Sequence, residues 1–329
     1  MRWVGIVSAG VAFVVAILAA AWWEVRPVGS GTQIAVMIPK GASTWRIGED
    51  LARAGLVRDA RALVIATMLR RAAGRLRHGE YLLAPSQSAL QIVDALVKGE
   101  VVLHRVTIPE GYTIAQIADL LSAAGLADRD RFLNLALRGG RSLRRPGLAD
   151  LPVDSLEGYL FPDTYQFARG LEAEGLLGGI VDRFETAVGI TLRSSAGARG
   201  LTLHQLLTVA SMIERETRVP DERRIVASVI YNRLAKSMRL EIDATVLYAL
   251  GRHKDVVTLE DLAVDSPYNT YRYPGLPPGP IANPGLAAIT AAAGPAQTPY
   301  LFYVLKPDGH HYFSRTLEEH RAAVRRYRR

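Results

Sequence analysis

Residues 210–217 have the sequence ASMIERET and close a predicted amphipathic helix that organises the second half of the chain. The helix is predicted to begin near Thr202, because Gln205 follows three residues later and the two form a capping-box pattern. Apolar residues then recur at intervals of three and four, the spacing of one helical face. This apolar face consists of Leu203, Leu206, Leu207, Ala210 and Ile213.

Glu214 falls on that apolar face. At about 100° per residue it shares a side with Leu207 and Ala210, whereas Glu216 lies about 200° further round and faces the other way. A carboxylate on a core-facing stripe is costly unless it is paired, protonated or functional. Because burial raises the pKa of a carboxyl group, Glu214 is a candidate general acid. A helix-end Glu paired with an Arg explains the same pattern, and the helix alone leaves both interpretations open.

The composition is that of a globular protein with more than one domain. The chain has 329 residues, of which 49% are hydrophobic and 22% are charged. This length is more than one hydrophobic core usually serves, so we expect two folded domains. The chain has no cysteine, which excludes disulfides, thiolate catalysis and zinc sites built on cysteine.

An uncharged stretch at residues 3–23 predicts a membrane anchor. As a helix it would span roughly 30 Å, the thickness of a bilayer core, and Trp22 and Trp23 suit the interfacial aromatic belt. Arg2 precedes the stretch and favours a cytoplasmic N-terminus. A cleaved signal peptide is the alternative, but the stretch is longer than a usual signal core. In both cases residues 27–329 are expected outside the cytoplasm, with no later segment that could cross again.

The formal net charge is +8, and a cluster of arginines near the C-terminus contributes to it. A solvated last helix explains this cluster most simply, since cations are favourable near a helix C-terminus. If the charge has a partner, an anionic membrane surface or a polyanionic wall polymer fits best. Nucleic acid suits the charge but not an exported location, so no nucleic-acid partner is predicted.

An internal repeat follows a short linker that is rich in Gly and Ser. The sequence IPKG at Ile38 recurs as IPEG at Ile108, and each copy predicts a strand, a turn, a short helix and a glycine C-cap. After the first copy, a helix near 59–70, a strand at 78–83 and a helix at 89–97 are predicted. Strand, helix, helix and strand in this order have the layout of a LysM-like module, a class that binds the sugar backbone of peptidoglycan or chitin.

The second half of the chain alternates predicted helices with one long irregular segment. Residues 156–165 are rich in aromatic side chains, and Pro220 is expected to open a helix. Residues 265–285 combine Pro and Gly with Tyr, Asn and Thr. A rigid loop of this composition suits carbohydrate recognition, with a proline-rich linker as the alternative. Helices are predicted at about 173–188, 202–217 and 317–328, and two strands precede the last of them.

The sequence motifs of metal and nucleophile chemistry are missing. There is no H-E-x-x-H pair, no G-x-S-x-G elbow and no P-loop. His310 and His311 are adjacent in a predicted turn and strand, so their side chains are expected to point in opposite directions. A zinc site that joins His310 to His320 is a minor alternative. We predict no metal and no cofactor.

Without motifs for metal or nucleophile chemistry, the remaining candidate mechanism is acid–base catalysis by carboxyl groups. Hydrolysis of a glycoside usually takes two of them, an acid and a base or nucleophile. In lytic cleavage one is enough, because the 6-hydroxyl of the sugar attacks the anomeric carbon and the same Glu first gives and then takes a proton. The residues alone leave both routes open. The candidates to partner Glu214 are Glu157, Asp163, Glu241 and Asp243.

Several long motifs resemble those of the endolytic murein transglycosylases, the YceG-like family. They occur in the family's order, and the resemblance extends over nearly the whole chain, including the anchor and the LysM-like part. The motifs are LEGYLFPDTY at 156–165, ASMIERET at 210–217, ASVIYNRL at 227–234, YNTY at 268–271, GLPPGPI at 275–281 and GHHYFS at 309–314.

The resemblance implies a bacterial inner-membrane protein whose catalytic domain faces the cell wall. It implies cleavage of nascent glycan strands between N-acetylmuramic acid and N-acetylglucosamine, which leaves 1,6-anhydromuramic ends. It assigns the acid/base role to the first Glu of the Ile-Glu-x-Glu-Thr motif, here Glu214. The family has Gln where this chain has Glu241, so an added negative charge is expected to affect the acid or the sugar contacts. The residues expected to line the cleft are Glu157, Ser228, Asn232, Asp243, Asn269, Thr270 and Tyr271.

We therefore expect an α+β protein with an N-terminal transmembrane helix, a small LysM-like α+β subdomain and a larger mixed α/β catalytic domain. Peptidoglycan glycan strands, the bacterial membrane and cell-wall synthases are the expected partners. The alternatives are an inverting muramidase that uses Glu214 and Asp243, and a non-catalytic scaffold that binds peptidoglycan. The expected boundaries are 1–25 for the cytoplasmic end and membrane helix, 26–32 for the linker, 33–104 for the LysM-like part and 105–329 for the catalytic domain.

Overall fold

The chain divides into two compact units. Unit 1 comprises Met1–Arg105 and Gln166–Leu171, and unit 2 comprises Val106–Tyr165 and Glu172–Arg329. The domain boundaries expected from the sequence stay predictions. The computed structural model describes residues 2–148, 151–252, 254 and 256–327, without the side chains of 2–11, 147, 190–192 and 198.

Unit 1 contains a long N-terminal helix, a two-stranded sheet and three shorter helices. Its elements are α1 (Arg2–Val25), β1 (Ile34–Ile38), α2 (Thr44–Arg53), α3 (Ala60–Leu69), β2 (Gly79–Leu83) and α4 (Ala89–Lys98). β1 and β2 run antiparallel, with Ile34 opposite Leu83 and Ile38 opposite Gly79. The order strand, helix, helix, strand agrees with the order predicted from the sequence. Apolar side chains from all of these elements, among them Leu51, Leu63 and Tyr81, form one core.

α1 covers residues 3–23, the stretch that is expected to span a membrane. The side chains of residues 3–11 are outside the part of the chain that the structure describes. Within the portion that is described, no helix has both the length and the apolar character that a bilayer crossing requires. The end of α1 packs on its own unit. Val25 is buried in the core, and Arg58 stacks on the Trp23 ring at 4.5 Å while donating a hydrogen bond to the Trp23 carbonyl.

The two copies of the repeat fold alike at their turns. Gly41 and Gly111 both have a φ of 76°, a left-handed conformation that costs glycine little. The side chains of Ser43 and Thr113 then cap the helices that follow, each by accepting a backbone N–H bond. The repeat seen in the sequence therefore corresponds to a repeated turn-and-cap structure.

Unit 2 is mostly helical. Its helices are α5 (Ile114–Ala123), α6 (Arg129–Arg138), α7 (Ala173–Ala198), α8 (Leu203–Glu216), α9 (Arg223–Ala235), α10 (Asp243–Leu250), α11 (Leu286–Ala293) and α12 (Leu317–Tyr327). α7 is kinked at Gly189, which has a φ of 52°. Pro220 opens a short 3-10 turn, Pro220–Glu222, and not α9 itself as expected.

Two small sheets complete the structure. β5 (Phe302–Leu305) and β6 (His311–Ser314) run antiparallel, with Tyr303 opposite Phe313. They correspond to the two strands predicted before the last helix. β3 (Leu103–Thr107) pairs with β4 (Thr164–Ala168). The sequence did not predict β4, because its residues follow the proline that breaks the aromatic segment.

α8 is the central helix of unit 2. Its start agrees with prediction, since Thr202 and Gln205 form both hydrogen bonds of a capping box. The expectation of a single apolar face is wrong, because every residue from Leu206 to Ile213 is buried. α7, α9, α10 and α11 surround the helix, so polar side chains on it must find partners inside the protein. The Ser211 hydroxyl, for example, accepts a hydrogen bond from the backbone N–H of Ile281 at 3.0 Å.

A buried carboxyl group ties three segments of unit 2 together. Glu157 is 4% exposed and accepts hydrogen bonds from the backbone N–H of Ile114 at 3.1 Å and the amide of Asn283 at 2.8 Å. Its second oxygen lies 3.3 Å from the Tyr248 hydroxyl. Asn283 in turn accepts the N–H of Gly158 at 2.9 Å. Burial raises the pKa of Glu157 to about 8, so this carboxyl group holds a proton at neutral pH.

We predict that this proton makes the stability of unit 2 depend on pH. The pKa of Glu157 is 4.5 in its ordinary state and about 8 in the fold, so between these values the folded chain keeps a proton that the unfolded chain has lost. The free energy of unfolding should fall as the pH rises through this window, by up to about 1.4 kcal/mol per pH unit. Urea titrations of the full chain in detergent at several pH values measure the slope.

Glu157→Gln removes the titrating group and should flatten that slope. The exposed Glu260 provides a matched control, since Glu260→Gln makes the same chemical change outside the core. The control should keep the wild-type slope. An undiminished slope in Glu157→Gln would contradict the assignment.

Candidate active site

A cavity of about 430 Å³ lies in unit 2 where the end of α8 meets α9, the start of α10 and the β5–β6 hairpin. Acidic, basic and aromatic side chains line it together. Convergent polar groups among aromatic rings are typical of a ligand site. The polar and aromatic residues of the lining are Glu216, Arg233, Glu241, Asp243, Tyr271, Tyr303, His311 and His320.

Glu216 is held by a tyrosine at the edge of this cavity. The Tyr303 hydroxyl donates a hydrogen bond to Oε2 of Glu216 at 2.8 Å. Burial, followed by the nearby charge of Glu216, raises the pKa of Tyr303 well above its ordinary value. The hydroxyl therefore stays protonated and keeps donating to Glu216. The helix periodicity had pointed Glu216 away from the functional face, and the structure brings it to the cavity.

Asp243 and Tyr271 form a second pair in the cavity lining. The Tyr271 hydroxyl donates to Oδ1 of Asp243 at 2.5 Å. Two neighbours that were expected to line the cleft are buried and support this pair. The Asn269 side chain accepts the N–H of Tyr271 at 3.0 Å, and the Thr270 hydroxyl accepts the N–H of Ile242, next to Asp243, at 3.0 Å. Asn269 and Thr270 thus position cavity residues without facing the cavity.

Arg233 supplies positive charge to the acidic lining. Its guanidinium donates to Oε2 of Glu241 at 3.1 Å and to the carbonyls of Leu240 and Leu301 at 2.8 and 2.6 Å. It also stacks over the Phe302 ring at 5.0 Å. Since Arg233 is buried, these contacts fix its charge beside the cavity. Glu241 is therefore half of an ion pair.

Glu214 has different surroundings from Glu216. Its Oε2 accepts the backbone N–H of Gly285, the residue that precedes α11, at 3.0 Å. Burial raises the pKa of Glu214, and the negative charge of Glu110 adds to the rise, while the Gly285 bond and Arg223 oppose it. Glu214 is thus a half-buried carboxyl group with a raised pKa, whereas the sequence predicted a buried one. Glu214 is not among the residues that line the cavity, all of which lie in the described part of unit 2.

Two other candidate partners of Glu214 lie elsewhere. Glu157 is enclosed in the buried hydrogen-bond network described above. Asp163 accepts a hydrogen bond from Arg183 at 2.5 Å, and this bond, followed by one from the backbone of Thr164, lowers the pKa of Asp163. Neither carboxyl group belongs to the lining of the cavity within the described residues.

Ser228 and Asn232 line a separate concavity of about 490 Å³. As predicted, they share a face of α9. The Ser228 hydroxyl lies 2.8 Å from that of Thr298, and the Asn232 amide donates to the carbonyls of Thr298 and Tyr300 at 2.7 and 2.9 Å. Their side chains thereby fasten the chain that leads into β5. Among the described residues, neither Ser228 nor Asn232 belongs to the lining of the cavity that Glu216 borders.

The two adjacent histidines differ from expectation, because both reach the same carboxylate. The Nδ1 atoms of His310 and His311 lie 3.2 and 2.6 Å from the oxygens of Glu222. His310 precedes β6, so the alternation of side chains along a strand does not apply to it. His320 stacks on Phe302 at 5.2 Å. Among the residues that the structure describes, no group of three or more His, Asp or Glu side chains could hold a metal ion.

Sequence reasoning found Asp243 and Tyr271 but missed Tyr303, Arg233 and Glu222. Tyr303 contacts Glu216 from 87 residues away, and Glu222 contacts His311 across 89 residues. Arg233 lies within the ASVIYNRL motif at 227–234, and Tyr303 lies among the tyrosine, phenylalanine and histidine residues that are dense in the last two strands. The assembled cavity can bind a hydroxyl-rich ligand and offer a tyrosine-held carboxyl group for proton transfer.

Comparisons with known proteins identify the family of the chain and several relatives. The model of the YceG-like family matches residues 36–326. A Bacillus subtilis protein named endolytic murein transglycosylase is 33% identical over 319 residues, which cover 91% of this chain and 86% of the relative. A Streptococcus pneumoniae protein of the same name is also 33% identical, over 87% of this chain and 57% of the relative.

A solved structure is similar as well. The crystal structure of a YceG-like protein from Listeria monocytogenes has a TM-score of 0.61 and 36% sequence identity, covering 88% of this chain and 98% of that one. The family match extends over most of the chain, and relatives above 30% identity cover it almost from end to end. The chain belongs to the YceG-like family.

Proposed function

We propose that this protein is an endolytic lytic transglycosylase of peptidoglycan. It cuts the bond between N-acetylmuramic acid and N-acetylglucosamine inside nascent glycan strands and leaves a 1,6-anhydromuramic end. Relatives that carry the name endolytic murein transglycosylase support this activity. The observation that carries the proposal is the cavity in which Tyr303 holds the carboxyl group of Glu216 among aromatic and charged side chains.

In this proposal Glu216 is the acid and then the base. Its carboxyl group protonates the glycosidic oxygen as the bond to the anomeric carbon breaks. The resulting carboxylate then takes the proton from the 6-hydroxyl as that oxygen attacks the same carbon, so no water and no second carboxylate are needed. The Tyr303 hydroxyl fixes one oxygen of Glu216, and Arg233 offsets negative charge in the lining.

Glu214 is the competing candidate for this role. It has the raised pKa that a general acid needs, and the family resemblance pointed to it. Among the described residues, the cavity lining contains Glu216 but not Glu214, and the Tyr303 hydroxyl holds Glu216 in place there. We therefore favour Glu216. Glu214 instead binds the chain in front of α11 through Gly285.

Two matched variants decide between the carboxyl groups. Glu216→Gln keeps the Tyr303 contact but removes the transferable proton, so turnover should fall by about 10²–10⁴-fold. Glu214→Gln keeps an acceptor for Gly285 and should retain activity within a few-fold. The measurement is the rate at which 1,6-anhydromuramic ends appear when the full chain is incubated with peptidoglycan, with products weighed by mass spectrometry. The opposite pattern would assign the role to Glu214.

The same products separate lytic cleavage from hydrolysis. An inverting muramidase would use Asp243 as the base that activates water, an alternative that deserves a test because Asp243 lines the same cavity. We expect anhydro ends from the wild type, and Asp243→Asn should change the rate without changing the product. Reducing ends in place of anhydro ends would overturn the lytic mechanism and favour the hydrolase.

A non-catalytic scaffold is the second candidate function. The strand, helix, helix, strand order of unit 1 favours a LysM-like glycan-binding part. A scaffold predicts that the wild type binds peptidoglycan but forms no product. Binding that persists in Glu216→Gln, together with product formation by the wild type, would mean that one chain combines both functions. Cell-wall synthases are the partners that either function would serve.

We also propose that α1 anchors the protein in the bacterial inner membrane, with its N-terminus in the cytoplasm and the cavity on the cell-wall side. The uncharged stretch at residues 3–23 and the preceding Arg2 support this arrangement. The full chain should stay with membranes after an alkaline wash, whereas a chain without residues 1–25 should be released. Release of the full chain would contradict an uncleaved anchor.

A further inference from the structure

A buried carboxylate clamps the histidine that lines the cavity. Glu222, in the turn before α9, accepts the backbone N–H of His311 at 2.9 Å and lies 2.6 Å from its Nδ1. It also contacts His310 and the Thr217 hydroxyl. Burial alone would raise the pKa of Glu222, but the hydrogen bonds from His311 and His310 outweigh it and lower the pKa. An ionised carboxylate only accepts, so Nδ1 of His311 carries a proton.

His311 contacts Tyr303 directly. Tyr303 pairs with Phe313 in the β5–β6 hairpin, so His311 is its diagonal neighbour on the same face of the sheet. The two rings meet edge to face, with centroids 5.3 Å apart and planes at 80°. The His311 side chain is only 5% exposed, so it has little freedom to move away from Tyr303.

Tyr303 in turn holds Glu216 through the 2.8 Å hydrogen bond from its hydroxyl. Four side chains thus form a continuous series from Glu222 through His311 and Tyr303 to Glu216. The first member is buried in a turn, and the last faces the cavity. A tyrosine ring can rotate about its side-chain bonds unless neighbours stop it, and a displacement of about 1 Å in a reacting group can cost about 10²-fold in rate.

We propose that Glu222 and His311 are positioning residues, which act through Tyr303 to hold Glu216 in its reactive place. This inference rests on the proposed lytic activity. Glu222 fixes the His311 ring in one tautomer and orientation, the ring edge fixes Tyr303, and the Tyr303 hydroxyl fixes Glu216. Neither Glu222 nor His311 exchanges a proton with the substrate.

A double-mutant cycle tests the series. Glu222→Gln should lower kcat about tenfold and leave KM within about twofold, because substrate contacts are intact. In the Tyr303→Phe background, where the hydroxyl is gone, Glu222→Gln should lower kcat no further. Equal losses of kcat in both backgrounds would overturn the inference. Because Glu222 is buried, Glu222→Asp provides a second variant that keeps the charge but withdraws the oxygens.

His310 offers a matched control. It contacts the same carboxylate as His311, but its side chain is 55% exposed and it does not belong to the lining of the cavity. His310→Gln removes one bond to Glu222 and leaves the Glu222–His311 contact in place. It should keep the wild-type kcat. A loss in His310→Gln equal to that in Glu222→Gln would mean that any weakening of the hairpin slows the enzyme, and would overturn the specific role.

A spectroscopic measurement makes the result independent of turnover. In the ¹⁵N spectrum of histidine-labelled full chain, the His311 signal, assigned by its loss in His311→Gln, should show a protonated Nδ1. Glu222→Gln should abolish that pattern. If the wild type forms no anhydro ends, the proposed function is wrong, but the ¹⁵N spectrum still tests the contact between Glu222 and His311. The opposite tautomer in the wild type would overturn the inference itself.

Discussion

The burial of α8 on every side is the constraint on which the candidate site depends. Residues 206–213 are buried and four other helices surround α8, so its polar side chains reach open space only at the two ends of the helix. Glu214 and Glu216 leave that turn into different surroundings, one against the N–H of Gly285 and the other against the hydroxyl of Tyr303. A helix with one buried face would make Glu214 the distinctive residue. In a helix that is buried on every side, periodicity does not distinguish Glu214 from Glu216. The residues that each of them contacts make the difference.

Much of the secondary structure was predictable because its signals are local. The capping box of Thr202 and Gln205 and the turns at Gly41 and Gly111 depend on residues a few positions apart. β4 was not predictable in this way, because a strand is defined by its partner, and the partner β3 lies about sixty residues earlier. The burial of α8 likewise depends on elements from throughout unit 2, which periodicity along one helix does not report.

The residues of the candidate site were likewise predictable only where a local motif contains them. Asp243 and Tyr271 could be found from motifs, and the structure brings them together in the cavity lining. Asn269 and Thr270 belong to the same motif, but they act from inside the protein by holding the chain around that pair. A motif marks a segment as important without separating the side chain that faces a ligand from the one that supports it, since only burial makes that difference. The role of Tyr303 was not predictable, because no local sequence pattern links it to Glu216.

The remaining question from the sequence concerned Glu241, where an added negative charge was expected to disturb the acid. The structure gives that charge a partner, since Arg233 bonds Glu241 at 3.1 Å. Arg233 is buried and also bonds the carbonyl groups of Leu240 and Leu301, so its position does not depend on Glu241 alone. Glu241 is about half exposed, and exposed ion pairs contribute little to stability. The Arg233–Glu241 pair therefore balances charge beside the cavity more than it stabilises the fold. The carboxyl groups of Glu216 and Asp243 keep their hydrogen bonds from Tyr303 and Tyr271.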